Sequence, residues 1–116
     1  MAIQIRRGDI VLVNLDPVVG SEQGKIRPAL IIQNNTGNEC SPTTIVAPLT
    51  TKIYSKQFPT NVEIDKSDSP LKEKSTILLN QIRTVDKIRI IKSYGKVSKR
   101  KMKEVDEAIM NSLGIE

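Results

Sequence analysis

Gly8-Asp9-Ile10-Val11-Leu12-Val13-Asn14-Leu15-Asp16-Pro17 is the stretch that decides how this chain folds. Ile10-Val11-Leu12-Val13 is a short apolar run rich in β-branched residues, entered from Gly8-Asp9, and it reads as a strand. Asp16-Pro17 ends it, because proline brings no N–H to a ladder and restricts the residue before it. Working outward, the pattern repeats. Residues 28–33 predict a second β-branched strand, the Asn34-Asn35-Thr36-Gly37-Asn38 cluster a turn, and residues 43–49 a third strand. Residues 60–64 alternate with period two, which predicts burial of one face only. Residues 75–79 read as a fifth strand, and residues 84–85 and 88–91 as a final, shorter pair.

The end of the chain changes period. Met102, Val105, Ile109 and Leu113 recur at helical spacing over residues 98–113. Ser98 is placed as the N-cap, Val97 and Met102 as a hydrophobic staple, and Gly114 as the stop. The expectation is a mainly β domain with one C-terminal helix: an antiparallel, partly closed SH3-like barrel.

With 116 residues the chain has the length of a single domain, taken as residues 1–116, able to bury a core without a disulfide or metal staple. Composition removes whole classes of chemistry. There is no histidine and one cysteine, Cys40. No metal site built on His or several Cys is available, nor a Ser-His-Asp or Cys-His nucleophile, nor a two-histidine ribonuclease. No intrachain disulfide can form, which fits a reducing cytosol. No apolar run approaches the roughly 20 residues of a membrane span, and residues 1–7 lack the apolar core of a signal peptide. A cytoplasmic protein that binds neither membrane nor metal nor cofactor is expected. The formal net charge of +5 permits a polyanionic partner.

That charge is uneven. Lys87, Arg89, Lys92, Lys96, Lys99, Arg100, Lys101 and Lys103 include no acid between them, whereas residues 1–86 nearly balance. The segment reads either as a polyanion surface or as a solvated edge strand and helix start, where lysine blocks edge-to-edge pairing. Lysine at a helix N-terminus opposes the macrodipole, which favours a functional reason.

Three connectors are long for so small a domain: residues 16–26, 52–59 and 65–74. The first, Asp16-Pro17-Val18-Val19-Gly20-Ser21-Glu22-Gln23-Gly24-Lys25-Ile26, combines two glycines with Ser, Glu, Gln and Lys, and delivers the chain to Arg27-Pro28. Without histidine, phosphoryl transfer is still within reach, because positioning and charge stabilisation carry most of it. RNA brings its own nucleophile, the 2′-OH. Such a site needs a cation that forks onto phosphate oxygens, which suits arginine, and a neighbouring hydroxyl donor, which suits Thr or Ser.

Arg7-Gly8-Asp9-Ile10-Val11-Leu12-Val13, Gly20-Ser21-Glu22-Gln23-Gly24-Lys25-Ile26-Arg27-Pro28 and Pro42-Thr43-Thr44-Ile45-Val46-Ala47-Pro48-Leu49-Thr50-Thr51 follow in order. Pro59-Thr60-Asn61-Val62-Glu63-Ile64 and Ile77-Leu78-Leu79-Asn80-Gln81-Ile82-Arg83-Thr84-Val85-Asp86 complete the set. Over roughly residues 6–91 this ordered set strongly resembles the MazF/PemK toxins. The resemblance implies a MazF/CcdB-type barrel in a homodimer, and a metal- and ribosome-independent endoribonuclease that cuts single-stranded mRNA at a short sequence. It implies products with a 2′,3′-cyclic phosphate and a 5′-OH, and a cognate antitoxin whose acidic C-terminal segment fills the RNA groove.

Residue by residue, Arg27 matches the family's catalytic arginine, stabilising the phosphorane-like transition state and able to protonate the leaving oxygen. Thr50 matches its catalytic threonine, a donor to a non-bridging oxygen. Glu22 matches a glutamate that could help deprotonate the 2′-OH, although an exposed carboxylate is a poor base near neutrality. Ser21 and Gln23 match loop residues near the RNA, Lys25 adds charge beside Arg27, Gln81 matches a strand-end contact to bases, and Phe58 is placed to stack on one. Asn80 stands where many relatives carry an acid.

Each residue also has a plainer reading: Arg27 as a surface ion-pair arginine, Thr50 as a strand end, Gln81 as a backbone tie, Phe58 as a satellite-core plug. Cys40 reads as an incidental loop thiol, and Tyr54 and Tyr94 as packing. The competing function is a non-catalytic toxin of the same fold that poisons a protein target such as gyrase, a branch that lacks the Arg27/Thr50 pair. A peptide-binding SH3 adaptor or a stacking single-strand binder needs more aromatics than Tyr54, Phe58 and Tyr94 supply.

Overall fold

A computed structural model describes residues 3–56 and 58–116. Among the described residues, seven strands, two α-helices and a 3-10 turn at Lys87–Arg89 are formed: β1 (Asp9–Asn14), β2 (Ile26–Ile31), α1 (Asn35–Cys40), β3 (Thr43–Thr50), β4 (Asn61–Ile64), β5 (Ser75–Leu78), β6 (Arg83–Asp86), β7 (Ile90–Lys96) and α2 (Lys99–Leu113). All pairings are antiparallel, in the order β4-β5-β3-β2-β1-β7, with β6 also beside β3. β4 and β7 remain edges, so the barrel is open, in line with the partly closed architecture expected.

β3 is shared between two layers. Its first half pairs with β6, from Thr43↔Asp86 to Val46↔Arg83, and its end pairs with β5, at Leu49↔Ile77 and Thr50↔Thr76. Ala47 and Pro48 span the change of partner, where a missing N–H disturbs neither ladder. The strand therefore ends at Thr50 on the seam between the layers.

The apolar runs of β1 and β2 are continuous because both their faces are covered. On one face Ile10, Leu30 and Ala47 pack with Val62, Ile64 and Ile77 of the second layer and with Val105 and Ala108 of α2. On the other, Val11, Val13, Ala29, Ile31 and Val46 pack with Ile5, Leu15, Val85 and Ile90. β4 buries Val62 and Ile64 and leaves Asn61 and Glu63 partly exposed, as its alternation predicted. α2 is capped as expected: the Ser98 side chain accepts from Lys101 N–H, and Gly114 takes the left-handed conformation at φ 70°.

Several local expectations are corrected. Residues 34–38 do not form a simple turn but open α1, because the Asn34 side chain accepts from Gly37 N–H as an N-cap. Asn38 anchors that helix: it is buried, donates to Gln33 O at 2.9 Å and accepts from the Thr44 hydroxyl at 2.7 Å. A helix held by amides leaves no apolar period to read, and Cys40 is its exposed last residue rather than a loop thiol. β2 starts at Ile26, before Pro28, because Ile26 and Arg27 pair with Asn14 and Val13. β7 runs on to Lys96; an exposed edge strand need not be apolar. Leu113 is exposed, and Ala108 takes the buried place on α2.

The basic segment is largely tied into the fold. Lys87 and Arg89 donate to the carbonyls of Asn38, and of Asn14 and Asp16. Lys96 pairs with Asp9, Lys101 with Glu104 and Arg100 with Asp68. Asp68 also accepts from the Ser98 hydroxyl at 2.9 Å, while Ser98 N–H donates to Asp68 O at 2.7 Å. The 65–74 connector thus brings a carboxylate to the N-terminus of α2, supplying the negative charge that its own first turn lacks. The Arg100 guanidinium, and then the Ser98 hydroxyl, hold the Asp68 carboxyl below its ordinary range against the opposing effect of burial.

Asp68→Asn should lower the urea midpoint at neutral pH without changing the m-value. A carboxyl with a lowered folded-state pKa contributes fully above its unfolded value, and the contribution fades as pH falls through the folded one. The gap between wild type and variant should therefore be constant near neutrality and close below about pH 4, as read from denaturation at stepped pH.

Candidate active site

Arg27 lies on β2 beside the end of β3. Its Nε donates to Gly24 O at 2.8 Å and its NH1 to Leu49 O at 3.2 Å. Among the described residues no carboxylate pairs with it. The surface ion-pair reading is thereby overturned: this is a partly buried guanidinium held by neutral carbonyls, with NH2 and one NH1 proton uncommitted. Leu49 O adjoins Thr50 in the chain, so the same hydrogen bond sets the arginine beside the threonine. Thr50 Oγ1 accepts from Lys52 N–H at 3.2 Å, which orients the hydroxyl and leaves its proton to donate.

The 15–25 loop borders this seam, where its Gly24 O holds Arg27. Leu15 N–H donates to Lys25 O, and Lys25 N–H donates to the Asp16 carboxylate at 2.7 Å. Lys25 itself takes a left-handed φ of 66°, which turns the chain into β2. Gly24 sits in a tight place: a Cβ there would lie 2.6 Å from both Asp16 Oδ1 and Val18 Cγ2, so both side chains would have to shift. Glu22 Oε1 accepts from Val19 N–H at 2.6 Å, so one of its oxygens is spent on the loop. Gln23 N–H donates to Gln81 Oε1 at 2.7 Å, tying the loop to the β5–β6 corner. Arg83 NH1 donates to Leu15 O at 2.9 Å and makes a second tie.

An open cleft of about 540 Å³ follows, lined by Ser21, Glu22, Gln23, Asn80, Gln81, Ile82 and Arg83. Asn80 and Gln81 also line an adjoining depression with Tyr54 and Phe58. There the two rings meet edge to face, 5.8 Å between centroids, and Lys52 Nζ sits 4.8 Å from the Tyr54 centroid. Phe58 is 45% exposed, so it does not plug a satellite core. Tyr94, by contrast, packs against the main core, as expected.

The structure thus groups Arg27 with Thr50, and Ser21, Glu22 and Gln23 with Gln81, joined through Gly24; Phe58 flanks the group and Lys25 is exposed at its rim. Sequence reading assigned Tyr54 to packing, where the structure sets it against Phe58 beside the cleft, and it passed over Arg83. Two aromatics four apart in one long connector, in a chain with three in all, were the available signal for Tyr54. Nothing local marks Arg83, whose role is a contact across 68 positions. Among the described residues no cluster of His, Cys, Asp and Glu is suited to hold a metal ion.

The fold is an open, helix-backed β barrel with Arg27 beside the end of β3. Residues 6–113 match the model for PemK-like, MazF-like toxins of type II toxin-antitoxin systems, and the chain belongs to that family. It is 55% identical over 111 residues to endoribonuclease MazF of Staphylococcus saprophyticus, covering 96% of this chain and 92% of that protein. The fold is shared with MazF from Deinococcus radiodurans, at a TM-score of 0.83 and 24% identity, covering 97% and 99% of the two chains. A mycobacterial endoribonuclease solved in complex with its cognate antitoxin gives a TM-score of 0.80 at 25% identity, covering 97% of each chain.

Gly24→Ala tests the loop. Its Cβ must displace both the Asp16 and Val18 side chains, disturbing the Asp16–Lys25 bond beside the carbonyl that holds Arg27. RNA cleavage should fall by about 10²-fold, the scale of a misplacement near 1 Å. The thermal midpoint should move far less in proportion.

Proposed function

We propose that the Arg27–Thr50 seam is where this MazF-type endoribonuclease toxin cleaves single-stranded mRNA, and that the neighbouring cleft holds the strand. The observation that carries the proposal is the unpaired guanidinium of Arg27, fixed by two backbone carbonyls with donors to spare. A cation held in place without an anion is ready for a phosphate, and pre-set donors gain most where charge develops in the transition state.

The attacking 2′-oxygen forms a bond to phosphorus as the bond to the 5′-oxygen breaks, giving a 2′,3′-cyclic phosphate and a 5′-OH. The proton lost by the 2′-OH is balanced by the one gained at the 5′-oxygen. Arg27 neutralises the charge on the pentacoordinate phosphorus, and the Thr50 hydroxyl donates to a non-bridging oxygen. Glu22 lines the cleft with one carboxylate oxygen engaged in the loop and serves as an auxiliary base at most. Ser21, Gln23 and Gln81 border the strand, Lys25 adds long-range attraction, and Phe58 with Tyr54 offers a base a stacking surface. No metal ion or cofactor enters this scheme.

The endoribonuclease reading is favoured over the gyrase-poisoning one by the same arginine, for which target binding alone gives no use. Cytoplasmic action on mRNA, inhibition of translation and growth, neutralisation by the acidic C-terminal segment of an antitoxin, and a homodimer complete the reading. Exposed Ile26 at the start of β2, Ile88 in the turn before β7 and Ile91 in β7 offer apolar surface for that dimer. No helix among the described residues is long and apolar enough to cross a membrane.

Incubation with sequence-diverse single-stranded RNA in EDTA, with mapping of 5′ ends, tests the proposal. Wild type should cut at a shared short motif, and Arg27→Ala should lose about 10²–10³-fold in rate with the fold intact. Equal cleavage by the variant rules out the assignment. Phe58→Ala should weaken RNA binding by about 1–3 kcal/mol, the range for one base–aromatic stack. Binding of wild type should also weaken as salt rises, through counterion release.

A further inference from the structure

We infer that Gln81 is a positioning residue that acts on Arg27 through the backbone of Gln23 and Gly24. The inference rests on the reading of Arg27 given above and goes beyond it. Gln81 Oε1 accepts from Gln23 N–H at 2.7 Å. The carbonyl of the following residue, Gly24 O, accepts from Arg27 Nε at 2.8 Å. The backbone of two residues, Gln23 and Gly24, therefore joins the amide to the guanidinium. Only the amide oxygen can face a backbone N–H, so the side-chain orientation is fixed by chemistry.

Gln81 is itself held where it can do this. Its N–H donates to Leu78 O at 3.1 Å, which closes the corner after β5. The Arg83–Leu15 bond braces the same corner against the base of the loop. Gln81 is partly buried, whereas Ser21, Glu22 and Lys25 of the loop are exposed. Gly20 stands in open space, where an added Cβ would meet nothing within 4 Å, so the loop tip has no packing of its own. The loop 15–25 is thus anchored at its base and at Gln23, and Arg27 is aimed by the second anchor. A glutamine whose oxygen is committed in this way has only its NH2 left for RNA.

The test is a cycle of Gln81→Met, Gln81→Glu, Arg27→Ala and the Gln81→Met/Arg27→Ala double variant, using single-turnover cleavage of one defined RNA. Methionine removes the acceptor at similar length, and glutamate keeps it. Gln81→Met is expected to lower the saturating rate by about 10- to 100-fold, with little change in the RNA concentration for half-saturation. Gln81→Glu should restore most of that rate, although its charge raises the half-saturating concentration. In the Arg27→Ala background Gln81→Met should cost nothing further, since residues acting as one unit are not additive. Independently of activity, the Gln23 amide should exchange faster with solvent in Gln81→Met and slow again in Gln81→Glu.

A Gln81→Met effect that is confined to half-saturation, or that persists undiminished without Arg27, overturns the relay and makes Gln81 a direct RNA contact. An unchanged Gln23 amide overturns it as well. Full activity of Arg27→Ala defeats the reading of Arg27 instead, a result the single variant separates from failure of the relay. Gln81→Ala, which removes the acceptor without adding an apolar tip, must reproduce Gln81→Met if the latter folds poorly.

Discussion

Three adjacent strands that are apolar on both faces cannot stand in water, and the rest of this molecule follows from that constraint. Ile10 and Leu30 point one way, Val11 and Ile31 the other, and all four are fully buried. Truncating any one of them would cost on the order of 2–5 kcal/mol. One face is closed by α2 and by the β4–β5 layer, the other by the N-terminal segment, Val85 and Ile90. Covering both faces of so short a chain requires β3 to serve two layers, and the seam created where β3 changes partner is where the proposed chemistry sits.

The seam also explains why the site is built on backbone carbonyls rather than on acids. Arg27 leaves β2 at the point where the sheet gives way to the 15–25 loop, so carbonyls of the loop and of β3 are at hand. A carboxylate partner would hold the guanidinium more strongly but would cancel the charge a phosphate needs. Carbonyls give position without neutralisation. Elsewhere some cations are paired, Arg7 with Asp106, Lys74 with Glu63 and Arg100 with Asp68, while Arg83 and Arg89 also donate to carbonyls and brace the fold.

The 65–74 connector shows how tertiary structure answers a local conflict. Lys99, Arg100 and Lys101 begin α2 with the wrong sign for its dipole. Asp68, thirty residues before Ser98, brings the missing carboxylate to that end. The lysine-rich sequence that suggested a polyanion surface is thus in part compensated scaffold, with Lys87, Arg89, Lys92, Lys99 and Lys103 making no ion pair among the described residues.

Where hydrophobic period and turn chemistry are local, the sequence by itself determined the outcome: β1, β3, β4 and β5, the capped α2, and the absence of histidine chemistry were all legible, as was the family. The ordered Gly-Ser-Glu-Gln, Arg-Pro and Thr-Thr motifs named Arg27 and Thr50 without any structure. Only the tertiary structure decided what cannot be written as a period. Asn-rich α1 is held by buried amides, β7 is an exposed edge with no apolar signature, and Leu113 gives way to Ala108. It alone showed that Arg27 lacks an anionic partner, that Glu22 is partly spent on its own loop, and that Gln81 reaches a loop 58 residues away. The reason is physical: propensity and pattern act over a few residues, whereas a hydrogen bond between distant segments depends on where the whole chain has placed them.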